Sequence, residues 1–274
     1  MNPHPFRFGA AVALVPDGAT LVETARRIER LGYSTVLVAD GLWLPAPFGM
    51  LTAAATATST LHVGTHVLAT PLRAPAMVAQ EADTLDLLSA HRFELGLGTG
   101  QYPATLGDAQ RLGVPFGTRA ERVARVGETI TAVEEQFAAK DRQAPRMLVA
   151  GTGRTLVELA AQRADTLALP VPYDRSEDGL VAKVDELRAA VGAGFARLEL
   201  ATNILAVGDK AAPDWVPSHF RELPADSYGR LAGEPAEVAD TLRRRRDRTD
   251  ISYVTVPQWC IDDFAPVVEL LAGQ

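Results

Sequence analysis

Residues 148–155 read Leu-Val-Ala-Gly-Thr-Gly-Arg-Thr, an apolar run that passes through a small-residue turn straight into an amphipathic stretch. Without side chains at Gly151 and Gly153, an anion can approach the backbone. The free N–H groups of a helix start, its dipole, and Thr152, Arg154 and Thr155 would then hold a phosphate. The same turn is also explained by close packing alone, since short strand-to-helix turns are often glycine-rich. A second cluster, Gly96-Leu97-Gly98-Thr99-Gly100, has the spacing of close backbone approach at a strand end, where it could pack against a planar ring.

His62 and His66 fall on one face of an extended run, but four residues of strand separate them by about 13 Å, too far to share one metal ion. His66 lies nearer the C-terminal end and can face a ligand, whereas His62 reads as structural. With no His-Glu-x-x-His motif and one cysteine, Cys260, the sequence offers no metal site. Asp40 closes an apolar run, where its carboxylate can accept hydrogen bonds from a bound ring or enter a loop ion pair. No Gly-x-Ser-x-Gly elbow announces a nucleophilic serine. Arg243, Arg244, Arg245, Arg246 and Arg248 sit among Glu237, Asp240, Asp247 and Asp250, mixed signs that indicate a solvated helix face rather than a nucleic-acid patch.

The elements that must position these residues alternate almost from end to end. Eight short apolar runs, at 6–12, 35–39, 61–69, 93–97, 146–150, 166–169, 197–205 and 251–256, read as parallel strands covered on both faces. Amphipathic stretches separate them. One carries Leu21, Ala25, Ile28 and Leu31; another Val123, Val126, Ile130, Val133 and Phe137; the last Phe264, Val267, Val268 and Leu271. Gly32 stands where a left-handed C-cap is expected, Pro75 opens a helix, and Thr118 precedes an acidic first turn at Glu121. Eight units in 274 residues leave about 34 each, the size of one βα repeat. The favoured fold is therefore a (β/α)8 TIM barrel, one domain over residues 1–274. A doubly wound open sheet uses the same alternation and is the alternative. Residues 98–117 and 206–233 break the beat and are expected to be irregular loops at the C-terminal face, where barrels carry their active sites.

Composition narrows the class further. With 47% hydrophobic residues the chain can bury a large core and is not disordered. A charge of -7 argues against nucleic acid, and the single cysteine excludes an internal disulfide. No export or membrane signal is visible, so a cytoplasmic protein acting on a small molecule is expected.

Four stretches resemble the luciferase-like oxidoreductases, barrels that use flavin mononucleotide (FMN) or the deazaflavin coenzyme F420. They are LGYSTVLVAD at 31–40, VGTHVLATPLRAPAMVAQEADTLDLLSAHRFELGLGTG at 63–100, LGVPFGTRAERV at 112–123 and GTGRTLVELAAQRAD at 151–165. The C-terminal stretch is similar to a compact deazaflavin-dependent branch, which implies F420, with FMN as the alternative. The resemblance implies that Gly151, Thr152, Gly153, Arg154 and Thr155 bind the coenzyme phosphate. It places Asp40, Thr70, Gly98, Thr99, Gly100 and Gln101 along the ring and its side chain. On the strand carrying Gly64, Thr65, His66 and Val67 it implies a bulge with a cis peptide near His66-Val67 that supports the back of the ring. Several relatives carry His after the aspartate and Glu after the Gly-Thr-Gly; here Gly41 and Gln101 stand instead, which argues against sugar-phosphate dehydrogenation. The implied reaction is hydride transfer, with reduction of an activated C=C or C=N bond as the expected outcome. His66, Tyr102 and Gln101 are the candidate catalytic residues, with His219 a further proton donor. Trp43, Trp215, His219, Phe220 and Trp259 are the candidate substrate wall, joined by Phe48 and Tyr228. A homodimer is compatible with the resemblance. An FMN-dependent monooxygenase and a non-catalytic flavin-binding relative are the competing readings.

Overall fold

Among the described residues, extended, β-branched and apolar runs form eleven strands: β1 Arg7–Ala11, β2 Thr35–Val38, β3 His62–Thr65, β4 Leu68–Ala69, β5 Phe93–Gly98, β6 Arg146–Ala150, β7 Thr166–Ala168, β8 Glu199–Asn203, β9 Ala206–Val207, β10 Arg230–Leu231 and β11 Ile251–Pro257. The computed structural model describes residues 4–210 and 212–274, without the side chain of His219. Nine of the strands form one parallel sheet in the order β3-β2-β1-β11-β8-β7-β6-β5-β4, and β3 also pairs with β5. That pairing closes the sheet into an eight-stranded (β/α)8 barrel, because β3 and β4 are two halves of one interrupted strand. The open-sheet alternative is excluded by closure.

Side chains alternate along each strand, so every second residue faces the barrel axis. At the N-terminal end seven of the barrel strands each contribute one polar side chain: Arg7, Thr35, His62, Glu94, Arg146, Thr166 and Glu199. Arg7 reaches Glu94 at 2.5 Å and Glu199 at 3.0 Å, on strands not adjacent to its own, so these groups meet inside the barrel. His62 Nδ1 stands 3.0 Å from Glu94 Oε1, and Arg146 stands 3.2 Å from Glu199 Oε2. Burial pushes the Glu94 carboxyl upward, but His62, Arg7 and Arg146 outweigh it and hold the group below the ordinary glutamate range. His62 is structural, as its sequence position suggested.

Two residues further along, Leu37, Leu148, Ala168, Ala201 and Tyr253 form a second, apolar layer. Glycines make room for its two largest members. A β-carbon on Gly9 would stand 2.8 Å from Leu37 and 2.9 Å from the Tyr253 hydroxyl. The third layer, at the C-terminal mouth, holds small side chains: Ala11, Gly98, Ala150 and Asn203, with Val67 delivered by the β3–β4 break.

Helices cover the outside with the stripes their periodicity announces. Val126, Ile130, Val133 and Phe137 of the helix Arg119–Ala138 are fully buried, each such burial contributing roughly 1.5–3 kcal/mol. Thr118 and Glu121 close its N-terminus with a reciprocal capping box. Gly32 adopts φ +80° just past the first helix, and Pro75 opens the helix Pro75–Leu88.

Four sequence expectations need correction. The run 61–69 is not continuous but breaks after Thr65. Residues 197–198 belong to a 3-10 turn and its cap, not to a strand. The segment 98–117 contains the helix Ala104–Leu112, and 206–233 contains the helix Ser218–Arg221 and the parallel pair β9–β10. The arginine-rich helix Pro235–Thr249 is not wholly solvated either. Arg245 is 2% exposed, because its guanidinium donates to the Glu177 carboxylate and the Tyr228 carbonyl and thereby ties the start of the helix Glu177–Val191 and the 227–229 turn to its own helix.

Candidate active site

β6 runs into Gly151-Thr152-Gly153 and the helix Arg154–Arg163 without an intervening loop. Gly153 is the N-cap and offers no side chain to the first turn, whose N–H groups stay available to an outside acceptor. Side-chain ends close over both glycines. A β-carbon at Gly151 would stand 2.3 Å from Leu156 Cδ2, and one at Gly153 would stand 2.2 Å from a guanidinium nitrogen of Arg119. The cradle opens into a cavity of about 780 Å³ lined by Thr99, Arg119, Arg122, Thr152, Arg154 and Thr155, among others. That volume suits an organic ligand rather than a lone ion. Thr152, Arg154 and Thr155 of the expected phosphate turn line this cavity together with Thr99, which the resemblance placed along the ring and its side chain. Arg119 and Arg122 were not anticipated.

The β3–β4 break lies beside the cradle at the mouth. From Gly64, opposite Glu94, to Leu68, opposite Leu97, the interrupted strand advances four residues against three on β5, one extra residue. Thr65 anchors the near side: its hydroxyl accepts from Gly96 N at 2.8 Å and donates to Gly96 O at 2.9 Å. Asp40 anchors the far side, accepting from Ala69 N at 3.1 Å and from Arg73 at 2.8 Å on each oxygen. Of the two roles open to Asp40, the structure shows the ion pair. Thr70 donates to Gly98 O at 3.1 Å. The peptide His66-Val67 within the break is cis. Gly96 and Gly98 serve this same feature. A β-carbon at Gly96 would stand 2.0 Å from Thr65 O and one at Gly98 2.7 Å from Val67 Cγ2, so their bare backbones receive β3 rather than standing open to a ring. His66 is half-buried, with its Nε2 cut off from solvent and unpartnered among the described residues. Burial lowers its pKa to about 4, so the imidazole is neutral near pH 7.

After β5 the chain turns through Gly100 at φ +77° into Gln101 and Tyr102, whose peptide to Pro103 is cis. Gln101 N donates to Thr105 Oγ1 at 2.8 Å, which fixes the backbone and leaves the Gln101 side chain exposed. Tyr102 is 72% exposed. Asp108 accepts from Leu42 N at 3.1 Å and joins this helix to the loop that carries Trp43. Across the mouth, Trp215 packs edge-on against Trp259, and Phe220 edge-on against Tyr173. Tyr173 stacks on Tyr228 and receives a hydrogen bond from Asn203 at 3.0 Å. The proposed aromatic wall thus resolves into separate pairs. Tyr228 and Phe48 are packing residues, the first fully buried and the second against Phe93. The side chain of His219 lies outside the described residues.

The luciferase-like monooxygenase family model matches residues 4–250. The chain belongs to that family. An F420-dependent glucose-6-phosphate dehydrogenase of Beutenbergia cavernae is 33% identical over 176 residues, covering 61% of this chain and 48% of that protein. The chain thus spans about half the length of the curated relatives it matches. Among solved structures, an F420-dependent secondary alcohol dehydrogenase in complex with an F420-acetone adduct superposes with a TM-score of 0.72 at 18% identity, over 96% of this chain and 98% of the other. Monooxygenase RslO1 from Streptomyces bottropensis does so with a TM-score of 0.71 at 19% identity, over 96% and 97%. At these identities the structural likenesses establish the luciferase-like fold alone.

Within that fold one end of the barrel holds the cradle, the β3–β4 break and the aromatic pairs. The buried charge ring sits at the other end. Among the described residues no helix is long and apolar enough to cross a membrane.

Proposed function

We propose that the chain is an oxidoreductase that uses F420 for hydride transfer to or from a small organic substrate. The observation that carries this reading is the arginine-lined cavity that continues the uncapped helix start beside a floor of small side chains. F420-dependent enzymes among its relatives support the coenzyme. The residues suit such a group: a bare-backbone cradle for its phosphate, cations for its anionic tail, and Ala11, Val67 and Ala150 as a low floor for its ring.

When bound, the coenzyme would supply a ring carbon able to carry a hydride. Gly151, Thr152, Gly153, Arg154 and Thr155 hold the phosphate end, and Thr99 and Gly100 border the ring. Thr65, Asp40, Arg73 and Thr70 keep the Val67 segment in place and so set the height of the floor. His66, neutral at pH 7, serves as a neutral hydrogen-bonding group rather than as an imidazolium proton source. The exposed phenol of Tyr102, beside Gln101, is the better-placed proton donor, and Trp43, Trp215, Phe220 and Trp259 border the substrate. Gly41 and Gln101 occupy the positions where several relatives carry His and Glu, so the glucose-6-phosphate substrate of the named relatives is not carried over. The family description and the likeness to RslO1 favour a second reading, an FMN-dependent monooxygenase.

The test is a titration of the purified chain with F420 and separately with FMN, followed by fluorescence quenching. Tight F420 binding with weak FMN binding is expected. Tight FMN binding without F420 binding reverses the order.

A further inference from the structure

The cavity beyond the cradle carries more positive charge than one phosphate needs. Its lining contains Arg119, Arg122 and Arg154 and no Asp or Glu, in a chain whose net charge is -7. A helix start with Gly151 and Gly153 can take one phosphate through backbone N–H groups alone. Arg154 is drawn aside, its Nε donating to Glu158 at 2.8 Å. Arg119 and Arg122 are not neutralised in this way. Among the described residues Arg119 makes no ion pair or hydrogen bond, and its guanidinium lies against the bare Cα of Gly153. Arg122 donates to Gly117 O at 2.9 Å and stacks on Phe116 with 4.3 Å to the ring centroid, while its buried Nε has no partner. Two cations therefore border the cavity next to the cradle with donors to spare.

We infer that Arg119 and Arg122 form a second anion subsite that selects the coenzyme by its tail, reading carboxylates that follow the phosphate. The inference rests on the F420 reading and deepens it. FMN ends in a phosphate monoester, which the cradle satisfies by itself. F420 continues from a phosphodiester into carboxylates, which need further cations and room, and the cavity of about 780 Å³ provides both. Arginine suits this task because its planar fork binds carboxylate with two parallel N–H donors. The stacking of Arg122 on Phe116 orients one fork before any ligand arrives.

The experiment titrates the wild type, Arg119→Gln, Arg119→Lys and Arg122→Gln with F420 and with FMN by fluorescence quenching at low and high salt. Thermal melting reports folding. Arg119 is solvent-exposed, so Arg119→Gln keeps the test decisive should Arg122→Gln fail to fold. F420 affinity is expected to fall roughly tenfold in each glutamine variant, with a shallower salt dependence and partial recovery in Arg119→Lys. FMN affinity should fall less than F420 affinity, since the cradle amides that would meet its phosphate are untouched. Equal losses for both coenzymes, or no loss for F420, overturn the subsite and leave the F420 reading standing. A wild type that takes FMN and rejects F420 overturns both.

Discussion

Gly96→Ala tests whether the β3–β4 break is built by backbone contact. The added methyl would lie 2.0 Å from the Thr65 carbonyl oxygen and 3.1 Å from Val67 Cγ1. Contacts below about 3 Å are not tolerated, so the Thr65 carbonyl must retreat by about 1 Å, and no side-chain rotation can relieve a backbone clash. The retreat also strains both bonds between the Thr65 hydroxyl and Gly96, at 2.8 and 2.9 Å. Overpacking costs about 1–3 kcal/mol and each impaired buried hydrogen bond about 1 kcal/mol, so the loss should reach about 3–5 kcal/mol. For a chain of this size that corresponds to a melting-temperature drop of roughly 10 °C. Gly127→Ala is the control, because the added β-carbon would stand 3.9 Å from Leu159 within the helix Arg119–Ala138. Removing a mid-helix glycine there should stabilise by about 0.5–1 kcal/mol. Differential scanning calorimetry measures both, and coenzyme titration of the folded Gly96→Ala fraction should show weakened binding. If Gly96→Ala melts within a degree or so of wild type, the bulge is not held by this contact and the floor argument fails.

Three other perturbations probe the remaining layers. Arg7→Met leaves Glu94 and Glu199 buried without their shared cation and should cost about 3–5 kcal/mol by urea unfolding near pH 7; freed of Arg7 the Glu94 carboxyl protonates more readily, so the loss should shrink near pH 5, and a pH-independent loss would contradict the charge account. His66 titrates near 4 in the folded chain against about 6.5 unfolded, so the unfolded state binds the extra proton and stability falls as pH drops between those values. His66→Gln should flatten that part of the stability-pH curve, and an unchanged slope would show that His66 is not buried as described. Gly151→Val should weaken F420 binding by about tenfold while the chain stays folded, because its clash is with the flexible end of Leu156 and its methyls intrude on the phosphate approach; undiminished affinity in a folded variant removes the cradle.

Features read from neighbours in the chain were legible in the sequence. Periodicity located the barrel strands and the helix stripes, Thr118 and Glu121 announced the capping box, and Gly151-Thr152-Gly153 announced an uncapped helix start. The cis His66-Val67 peptide came from resemblance. Contacts between distant segments were less legible. Gly96 and Gly98 signalled a close approach, but their neighbour is Thr65 and Val67 of the same barrel. Asp40 could have faced a ring until Arg73 was found on both of its oxygens. Arg245 stood in a mixed-charge run, and only its meeting with Glu177 explains its burial.

What the sequence by itself determined is which residues face inward, which begin and end helices, and where the backbone is bare, because each follows from local geometry within a turn or two of chain. What only the tertiary structure decided is which charges meet. Arg7 joins Glu94 and Glu199, and Arg119 comes to rest over Gly153, because closing the barrel sets the distance between strands and helices that no spacing along the chain encodes.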